Sequence, residues 1–177
     1  HAFVSFVDAS PLHEVEAGRR AGLGVRRQNS QLLTPEAGSL AFLGELVTDL
    51  ALPVSAPAGE CEHCGRCLAA CPTGALSERG VDSARCRSAI TQKKGVLCEA
   101  ERREIAAGGL AWGCDLCTLA CPHNQTDGMR RSDLFSCDVA AVLTEDNLDR
   151  LLQNRAFAWR GRAVLERNLS ILSDNPL

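Results

Sequence analysis

The residues with the clearest chemical signature are cysteines, of which the 177-residue chain has ten. Four of them form the run Cys61-x2-Cys64-x2-Cys67-x3-Cys71, followed by Pro72. A second run, Cys114-x2-Cys117-x3-Cys121 followed by Pro122, repeats its later part. This spacing is typical of two [4Fe-4S] clusters, in which three close thiolates bind one cluster and the cysteine before proline binds the other. The chemistry that this predicts is one-electron transfer.

The crossed pattern assigns most of the cluster ligands. One cluster takes three cysteines of the first run and the last cysteine of the second: Cys61, Cys64, Cys67 and Cys121. The other cluster takes Cys71, Cys114 and Cys117 and needs one more ligand.

Three cysteines are candidates for that ligand: Cys86, Cys98 and the more remote Cys137. We favour Cys86, which lies in a helix that Asp82 is predicted to begin, on the side where the chain leaves Cys71. Cys98 stands where a helix N-cap is expected, directly before Glu99.

Two other uses of cysteine fit the sequence less well. Zinc sites favour separated Cys-x2-Cys pairs that close one tetrahedron, and they need neither the third cysteine nor the Cys-Pro step. Disulfides are typical of secreted chains, and the sequence shows no secretory signal and no run of 18 apolar residues. We therefore expect a cytoplasmic protein without a membrane segment. The formal charge of −3 would become about −7 with two clusters bound.

The elements around the cysteines suggest three regions: residues 1–57, 58–127 and 128–177. In the first, residues 2–7 predict a short buried strand, and Ser10-Pro11 predicts the start of a helix that ends at Gly22. In the last, Thr144 is expected to cap a helix, and a second helix follows. The apolar residues of these two helices are Leu148, Leu151, Leu152, Val164, Leu165, Leu169 and Leu172.

Further segments show a resemblance to a known family. They are Phe6 to Pro11, Ala21 to Gly24, Gly38-Ser39, Phe42 to Leu50, Cys61 to Leu76, Thr91 to Gly95, Trp112 to Cys117, Cys121 to Asn124 and Arg167 to Leu169. Together they resemble the cobalamin-dependent epoxyqueuosine reductases of tRNA modification. The segment Phe42-Leu43-Gly44-Glu45, continued by Thr48-Asp49-Leu50, is more specific to that family than the cysteine runs.

The resemblance implies a fold and an activity. The fold is α+β: a bacterial dicluster ferredoxin-like domain (58–127), preceded by part of an α/β cobalamin-binding domain (1–57) and followed by a helical region. The activity is that of an oxidoreductase that reduces epoxyqueuosine at the tRNA wobble position to queuosine. The cofactors are two [4Fe-4S] clusters and a cobalamin close to one of them. The partners are tRNA and a small electron donor such as ferredoxin or flavodoxin, with no membrane and the protein as a monomer.

The resemblance also implies site residues. Asp8 would be the proton donor to the leaving oxygen. Four residues would contact the cobalamin: Gly22, Gly24, Asn29 and Ser39. The family spacing also supports Cys86 as the eighth cluster ligand.

The chain departs from the family in two respects. The family usually carries Gly-Lys-Asn soon after Gly-Leu-Gly, whereas this sequence reads Arg27-Gln28-Asn29 and matches only at Asn29. The family also has a sizeable region before the Asp8 strand, so we expect the natural chain to extend upstream of His1.

Several side chains carry weaker hypotheses. His63 and His123 are expected to tune a cluster, and Trp112 to shield one. Four arginines, Arg155, Arg160, Arg162 and Arg167, are either phosphate contacts or a solvated helix face. Two alternative functions remain open on the sequence alone: a dicluster ferredoxin-type electron-transfer module, and a relative of the corrinoid reductive dehalogenases.

Overall fold

The computed structural model describes residues 1–7, 11–53, 55–124, 143–153 and 156–174. These residues form short strands and short helices. The strands are β1 (Phe3–Val7), β2 (Val25–Arg26), β3 (Leu32–Leu33), β4 (Gly44–Thr48), β5 (Leu76–Ser77) and β6 (Gly80–Val81). The helices are α1 (Glu14–Arg20), α2 (Arg66–Ala69), α3 (Arg87–Gln92), α4 (Glu99–Gly108), α5 (Leu116–Leu119), α6 (Glu145–Leu152) and α7 (Arg162–Asp174), with a 3-10 turn at Ala156–Arg160. The architecture is therefore mixed helix and strand, as the sequence predicted.

The chain divides into two compact units that alternate along the sequence. Unit 1 comprises His1–Ala70, Glu78–Gly80 and Leu116–Arg131, and unit 2 comprises Cys71–Ser77, Val81–Asp115 and Ser132–Leu177. The second cysteine run is thus divided, with Cys114 in unit 2 and Cys117 in unit 1. The three-region division expected from the sequence stays a prediction.

The first strand of unit 1 forms a two-stranded ribbon. β1 pairs antiparallel with β4, from Phe3 opposite Thr48 to Val7 opposite Gly44. The strand itself was predicted, but its burial was wrong, since Phe3 is 74% and Val7 61% exposed. A ribbon of two strands buries little by itself, and within the described residues no third strand pairs with it.

Helix α1 packs beside a second two-stranded ribbon of unit 1, in which β2 pairs antiparallel with β3. It begins after His13, so the predicted start at Ser10-Pro11 was wrong for the described part of the segment. Acidic residues fill its first turn and arginines its last, which suits the helix dipole. Its predicted end at Gly22 is confirmed by a φ of +75° there. The helix lies so close to β3 that a Cβ on Gly18 would come within 2.7 Å of Leu32 Cδ2.

Unit 2 is organised around helices α3, α4 and α7. Its first core cluster contains residues from all three helices. It consists of Ile90, Leu97, Ile105 and Ile171. A second cluster, Leu148, Leu165 and Leu169, joins α6 to α7. Thr144 caps α6 by accepting a hydrogen bond from the Asn147 N–H, so the two C-terminal helices are confirmed. Among the described residues, no helix has the length and apolar character needed to cross a membrane.

Candidate metal centres

Four cysteines of unit 1 line one small cavity. They are the set that the sequence assigns to the first cluster: Cys61, Cys64, Cys67 and Cys121. The remaining lining residues are Arg27, Gln28, Asn29, Glu62 and His123. In the described part of the chain, no three Cys, His, Asp or Glu side chains converge on a single metal ion. Four thiolates around one cavity are the donor set that a [4Fe-4S] cluster requires.

The loop that carries these cysteines has an unusual backbone. His63 adopts a φ of +52° and Gly65 a φ of +73°, and both lie in the left-handed region. After Gly65, helix α2 begins at Arg66 and carries Cys67 on its first turn. These turns wrap the chain around the cavity. Within unit 1, α2 also packs against α5, the short helix of the second cysteine run.

Asn124 anchors the segment after Cys121. Its side-chain Nδ2 donates to the Thr118 carbonyl at 3.1 Å, and its Oδ1 accepts from the Ser39 N–H at 2.8 Å. Gly38 lies so close that a Cβ there would be 2.1 Å from Asn124 Oδ1. The Gly38-Ser39 segment is therefore fitted to the chain around Cys121.

Hydrogen bonds to sulfur favour the thiolate at Cys61. Burial is the largest influence there and by itself would raise the pKa of the thiol. The backbone N–H groups of His63 and Gln28, together with the Arg27 side chain, outweigh burial and lower the Cys61 pKa. Donors placed this way also favour negative charge on a cluster that this sulfur binds.

The other cysteines with altered acidity differ in environment. At Cys71, burial opposes ionisation, but the Thr73 side chain and the backbone N–H groups of Leu76, Ala75 and Thr73 lower the pKa of the thiol. At Cys67, burial is the largest influence and the pKa is raised. A thiolate at Cys67 would therefore depend more on bound metal for its stabilisation.

Three cysteines assigned to the second cluster lie in unit 2, namely Cys71, Cys86 and Cys114, and all three are half-buried. The segment before Cys86 is a turn in which the Asp82 carboxylate accepts from the Ala84 N–H at 3.0 Å. The predicted helix start at Asp82 was therefore wrong, because this side chain caps a turn rather than a helix. Cys86 instead is the N-cap residue of α3, and its side chain makes no capping hydrogen bond.

Hydrogen bonds within unit 2 link the segments that carry these three cysteines. Arg85 donates to the Thr73 carbonyl at 2.5 Å, which connects the turn before Cys86 to the loop after Cys71. At the other end of α3, Thr91 Oγ1 accepts from the Gly113 N–H at 2.9 Å. The residue before Cys114 is therefore attached to the helix that follows Cys86.

Cys98, the competing candidate, has a different role. It is the N-cap of α4 and forms a capping box with Glu101: its N–H donates to the Glu101 carboxylate at 2.9 Å, and its thiol also hydrogen-bonds to that carboxylate. The capping role considered from the sequence is thus present. Cys137 lies outside the described residues. None of the nine described cysteines is in a disulfide.

The residues predicted to contact cobalamin serve the chain's own packing. A Cβ on Gly22 would come within 2.5 Å of the Ala56 carbonyl oxygen, and one on Gly24 within 2.3 Å of the Leu33 carbonyl oxygen. Buried Asn29 accepts from the Gln31 N–H in a local turn. A cavity of about 490 Å³ nevertheless opens in unit 1 beside both glycines, Arg27, Gly38 and His123. Asp8, the predicted proton donor, lies outside the described residues.

The weaker hypotheses have mixed outcomes. Arg162 pairs with Asp149 and Glu166, and Arg167 donates to the carbonyls of Lys93 and Gly95, so both are engaged by the protein. Two further residues, Trp112 and Arg160, have aromatic contacts: Trp112 packs edge-to-face with Phe157, and Arg160 stacks on Trp159. Arg155 lies outside the described residues. The expected tuning by His123 stays a prediction; the structure pairs this residue with Glu62 at 3.0 Å.

Three residues near the cysteines had no assigned role from the sequence. Arg27 was noted only as a departure from the family pattern, yet it lies beside Cys61. Thr91 and Asn168 are both fully buried and hydrogen-bonded near Cys114. Asn168 had a usable signal, because it stands on the apolar face of α7 between Leu165 and Leu169, where a polar residue needs buried partners.

Comparisons with known proteins agree with this geometry. The family described as a 4Fe-4S double cluster binding domain matches residues 60–124. An epoxyqueuosine reductase from Aliivibrio fischeri is 38% identical over 96% of this chain and 48% of its own length. One from Listeria monocytogenes is 35% identical over 95% of this chain and 47% of its own length. The chain thus spans about half the length of the curated relatives that it matches.

Solved structures show the same relationship. A selenomethionine-labelled epoxyqueuosine reductase superposes with a TM-score of 0.79 at 29% identity, over 97% of this chain and 48% of that one. An epoxyqueuosine reductase with an epoxyqueuosine-modified tRNA-Tyr stem loop gives 0.79 at 28% identity over the same shares. The cysteine framework, the fold and the sequence of nearly the whole chain are therefore similar to those of about half of an epoxyqueuosine reductase.

Proposed function

We propose that this chain acts as part of a tRNA epoxyqueuosine reductase, an oxidoreductase that converts epoxyqueuosine at the wobble position to queuosine. The observation that carries the proposal is the likeness to epoxyqueuosine reductases over 97% of this chain, including one with an epoxyqueuosine-modified tRNA stem loop. Removal of an epoxide oxygen as water consumes two electrons and two protons. The protein therefore needs carriers of single electrons and a proton donor.

Two [4Fe-4S] clusters, when bound, would supply one-electron transfer. For the first cluster, the donor set fits, since four cysteines line one cavity and Cys61 receives two backbone N–H donors. For the second cluster, we propose Cys71, Cys86, Cys114 and Cys117. Cys86 is supported over Cys98 because its sulfur has no capping partner, while the Cys98 sulfur is engaged in a capping box.

A cobalamin, when bound, would supply a strongly nucleophilic cobalt. The 490 Å³ cavity is smaller than a corrin with its nucleotide tail, so the described residues would form one side of such a site and not the whole. Of the predicted contacts, Gly22 and Gly24 line this cavity and Asn29 lines the neighbouring cysteine cavity, whereas Ser39 lines neither of them.

The remaining roles in the proposal concern protons, electrons and substrate. Asp8 would donate the proton to the leaving oxygen, as the resemblance implies. A small carrier such as ferredoxin or flavodoxin would supply the electrons. The tRNA would be the substrate.

The experiment uses the complete natural protein, prepared without oxygen and loaded with iron, sulfide and cobalamin. It is incubated with a reductant and tRNA that carries epoxyqueuosine, and the nucleosides are analysed. We expect queuosine to form, and we expect Asp8→Asn to abolish its formation while cluster and cobalamin spectra are kept. Intact epoxyqueuosine with fully loaded protein would refute the proposal.

A dicluster electron-transfer module is the second candidate. It is favoured by one observation, that Gly22 and Gly24 are explained by packing against the chain's own carbonyl groups. Titration of the complete protein with cobalamin separates the two. No binding at micromolar concentration, with both clusters present, would favour the module.

A further inference from the structure

Two family-like segments, Thr91 to Gly95 and Arg167 to Leu169, have no part in the proposed reaction, yet they meet in unit 2. Thr91 is near the end of α3, and Asn168 is in the middle of α7. Both side chains are 0% exposed. A buried hydroxyl and a buried amide are stable only when their polar atoms are hydrogen-bonded, so their partners show what these residues hold in place.

The Asn168 side chain uses its polar atoms fully. Its Nδ2 donates to the Thr91 carbonyl at 2.7 Å and to the Ala111 carbonyl at 2.8 Å. Its Oδ1 accepts from Arg167 Nε at 3.1 Å and from the terminal nitrogen Nη2 at 2.9 Å. Two carbonyls on one side and a guanidinium on the other allow only one orientation of the amide.

The Thr91 side chain continues the network towards Cys114. Its hydroxyl donates to the Ser88 carbonyl at 2.8 Å and accepts from the Gly113 N–H at 2.9 Å. Gly113 has a φ of +73° and directly precedes Cys114. Because Ala111 and Gly113 are both held, the backbone that leads into Cys114 is fixed at two points.

Helix α3, which carries Thr91, also begins at a predicted cluster ligand. Cys86 is the N-cap of α3, and Thr91 lies on its last turn. A hydrogen bond from the Gly113 N–H to Thr91 thus connects the segments of two cysteines that are assigned to one cluster. Arg167 completes the frame by donating to the carbonyls of Lys93 and Gly95, just after α3.

We propose that Thr91 and Asn168 are positioning residues that hold the Cys114 loop in register with Cys86 for the second cluster. The inference rests on the proposed cluster ligands and not on the reaction with tRNA. A cluster needs its thiolates at defined separations, and hydrogen bonds around a site keep its ligands in place. Cluster properties, rather than activity, therefore test it.

The main variant is Thr91→Val, which keeps the shape of the side chain and removes the hydroxyl. Thr91→Ser restores the hydroxyl, and Ser88→Ala is a matched control that removes a different hydroxyl from the same helix. Each complete protein is loaded with iron and sulfide without oxygen. Iron content, the EPR spectrum of the reduced clusters and their reduction potentials are then measured well below the melting temperature.

For Thr91→Val, we expect loss of up to about half of the iron, with an altered or missing EPR signal from one cluster only. Thr91→Ser and Ser88→Ala should resemble the parent. Unchanged iron, EPR spectra and potentials in Thr91→Val would overturn the proposal, as would equal loss of both clusters in folded protein. If the parent protein binds no clusters, the ligand assignment itself is refuted. Failure to reduce tRNA would refute the proposed reaction without changing iron content, EPR spectra or reduction potentials, so the two failures are distinguishable.

A second measurement covers the case in which Thr91→Val does not fold. Hydrogen exchange of the loaded parent protein is followed by mass spectrometry on peptides that cover residues 111–115. We expect the Gly113 amide to exchange as slowly as the buried amides of α7. Exchange as fast as that of exposed loops would overturn the proposal.

Discussion

The identity of the eighth cluster ligand can be tested with a pair of closely matched substitutions. Cys86 and Cys98 are both N-cap residues of helices, but their sulfur atoms differ. The Cys86 side chain makes no capping hydrogen bond, whereas Cys98 forms a capping box with Glu101, and its thiol hydrogen-bonds to the Glu101 carboxylate. Cys86→Ala therefore removes a proposed ligand without losing a cap. Cys98→Ala removes a cap without losing a proposed ligand.

The expected magnitudes follow from these contacts. Cys86→Ala should lower the iron content from about eight to about four atoms per chain. Cys98→Ala should keep all of the iron and lower the free energy of unfolding by about 1 kcal/mol, the usual cost of a lost N-cap. For a chain of this size, that corresponds to a fall in melting temperature of roughly 2–4 °C. Cys98→Ser should restore the stability, since serine is among the preferred N-cap residues.

The assay combines iron and sulfide analysis with EPR of the reduced protein after loading without oxygen. Thermal melts are recorded on the same samples. Full iron in Cys86→Ala, together with about half of the iron in Cys98→Ala, would refute the assignment and make Cys98 the ligand. Full iron in both variants would move the ligand elsewhere, with Cys137 as the next residue to replace.

Three further predictions concern the first cluster and the core. Cys121→Ala should remove the EPR signal of the cluster held by the first run and keep the other, and loss of the other alone would contradict the crossed pattern. Arg27→Gln should lower the reduction potential of the first cluster by on the order of tens of millivolts, because it removes a positively charged donor beside Cys61. Arg26→Gln is the control. Equal reduction potentials of the two variants, measured by potentiometry, would contradict the reasoning. Ile105→Ala, at a fully buried site, should cost about 2–5 kcal/mol in denaturant unfolding, whereas a Val96→Ala change at a 93% exposed site should cost far less.

The cysteine spacing predicted more of the site than any other feature. Three of the predicted ligands, Cys61, Cys64 and Cys67, are local in sequence, and the crossed pattern of the two runs adds Cys121; these four line one cavity. The C-terminal helices were predictable for a similar reason. Thr144 and the apolar residues of α6 and α7 act within a few turns of one helix.

Features that depend on distant contacts were predicted less well. The apolar run of β1 indicated burial, but burial needs a partner surface, and β4 supplies only an edge. Asp82 could start a helix or a turn, because the same carboxylate can accept from the backbone in both. Whether a helix or a turn forms depends on the neighbouring loop, because Arg85 in this segment donates a hydrogen bond to the Thr73 carbonyl.

Arg27 shows how the structure changes the meaning of a sequence difference. From the sequence, the loss of the family's Gly-Lys pair concerned only corrin contacts. In unit 1, Arg27 lines the cysteine cavity and also the cavity beside Gly22 and Gly24. Its buried Nε has no hydrogen-bond partner among the described residues, while its side chain bonds the Cys61 sulfur. A residue that faces both cavities affects the charge at the cluster and the shape of the neighbouring space together. The difference at position 27 is therefore expected to appear first in the cluster potential, where removing one charge is directly measurable.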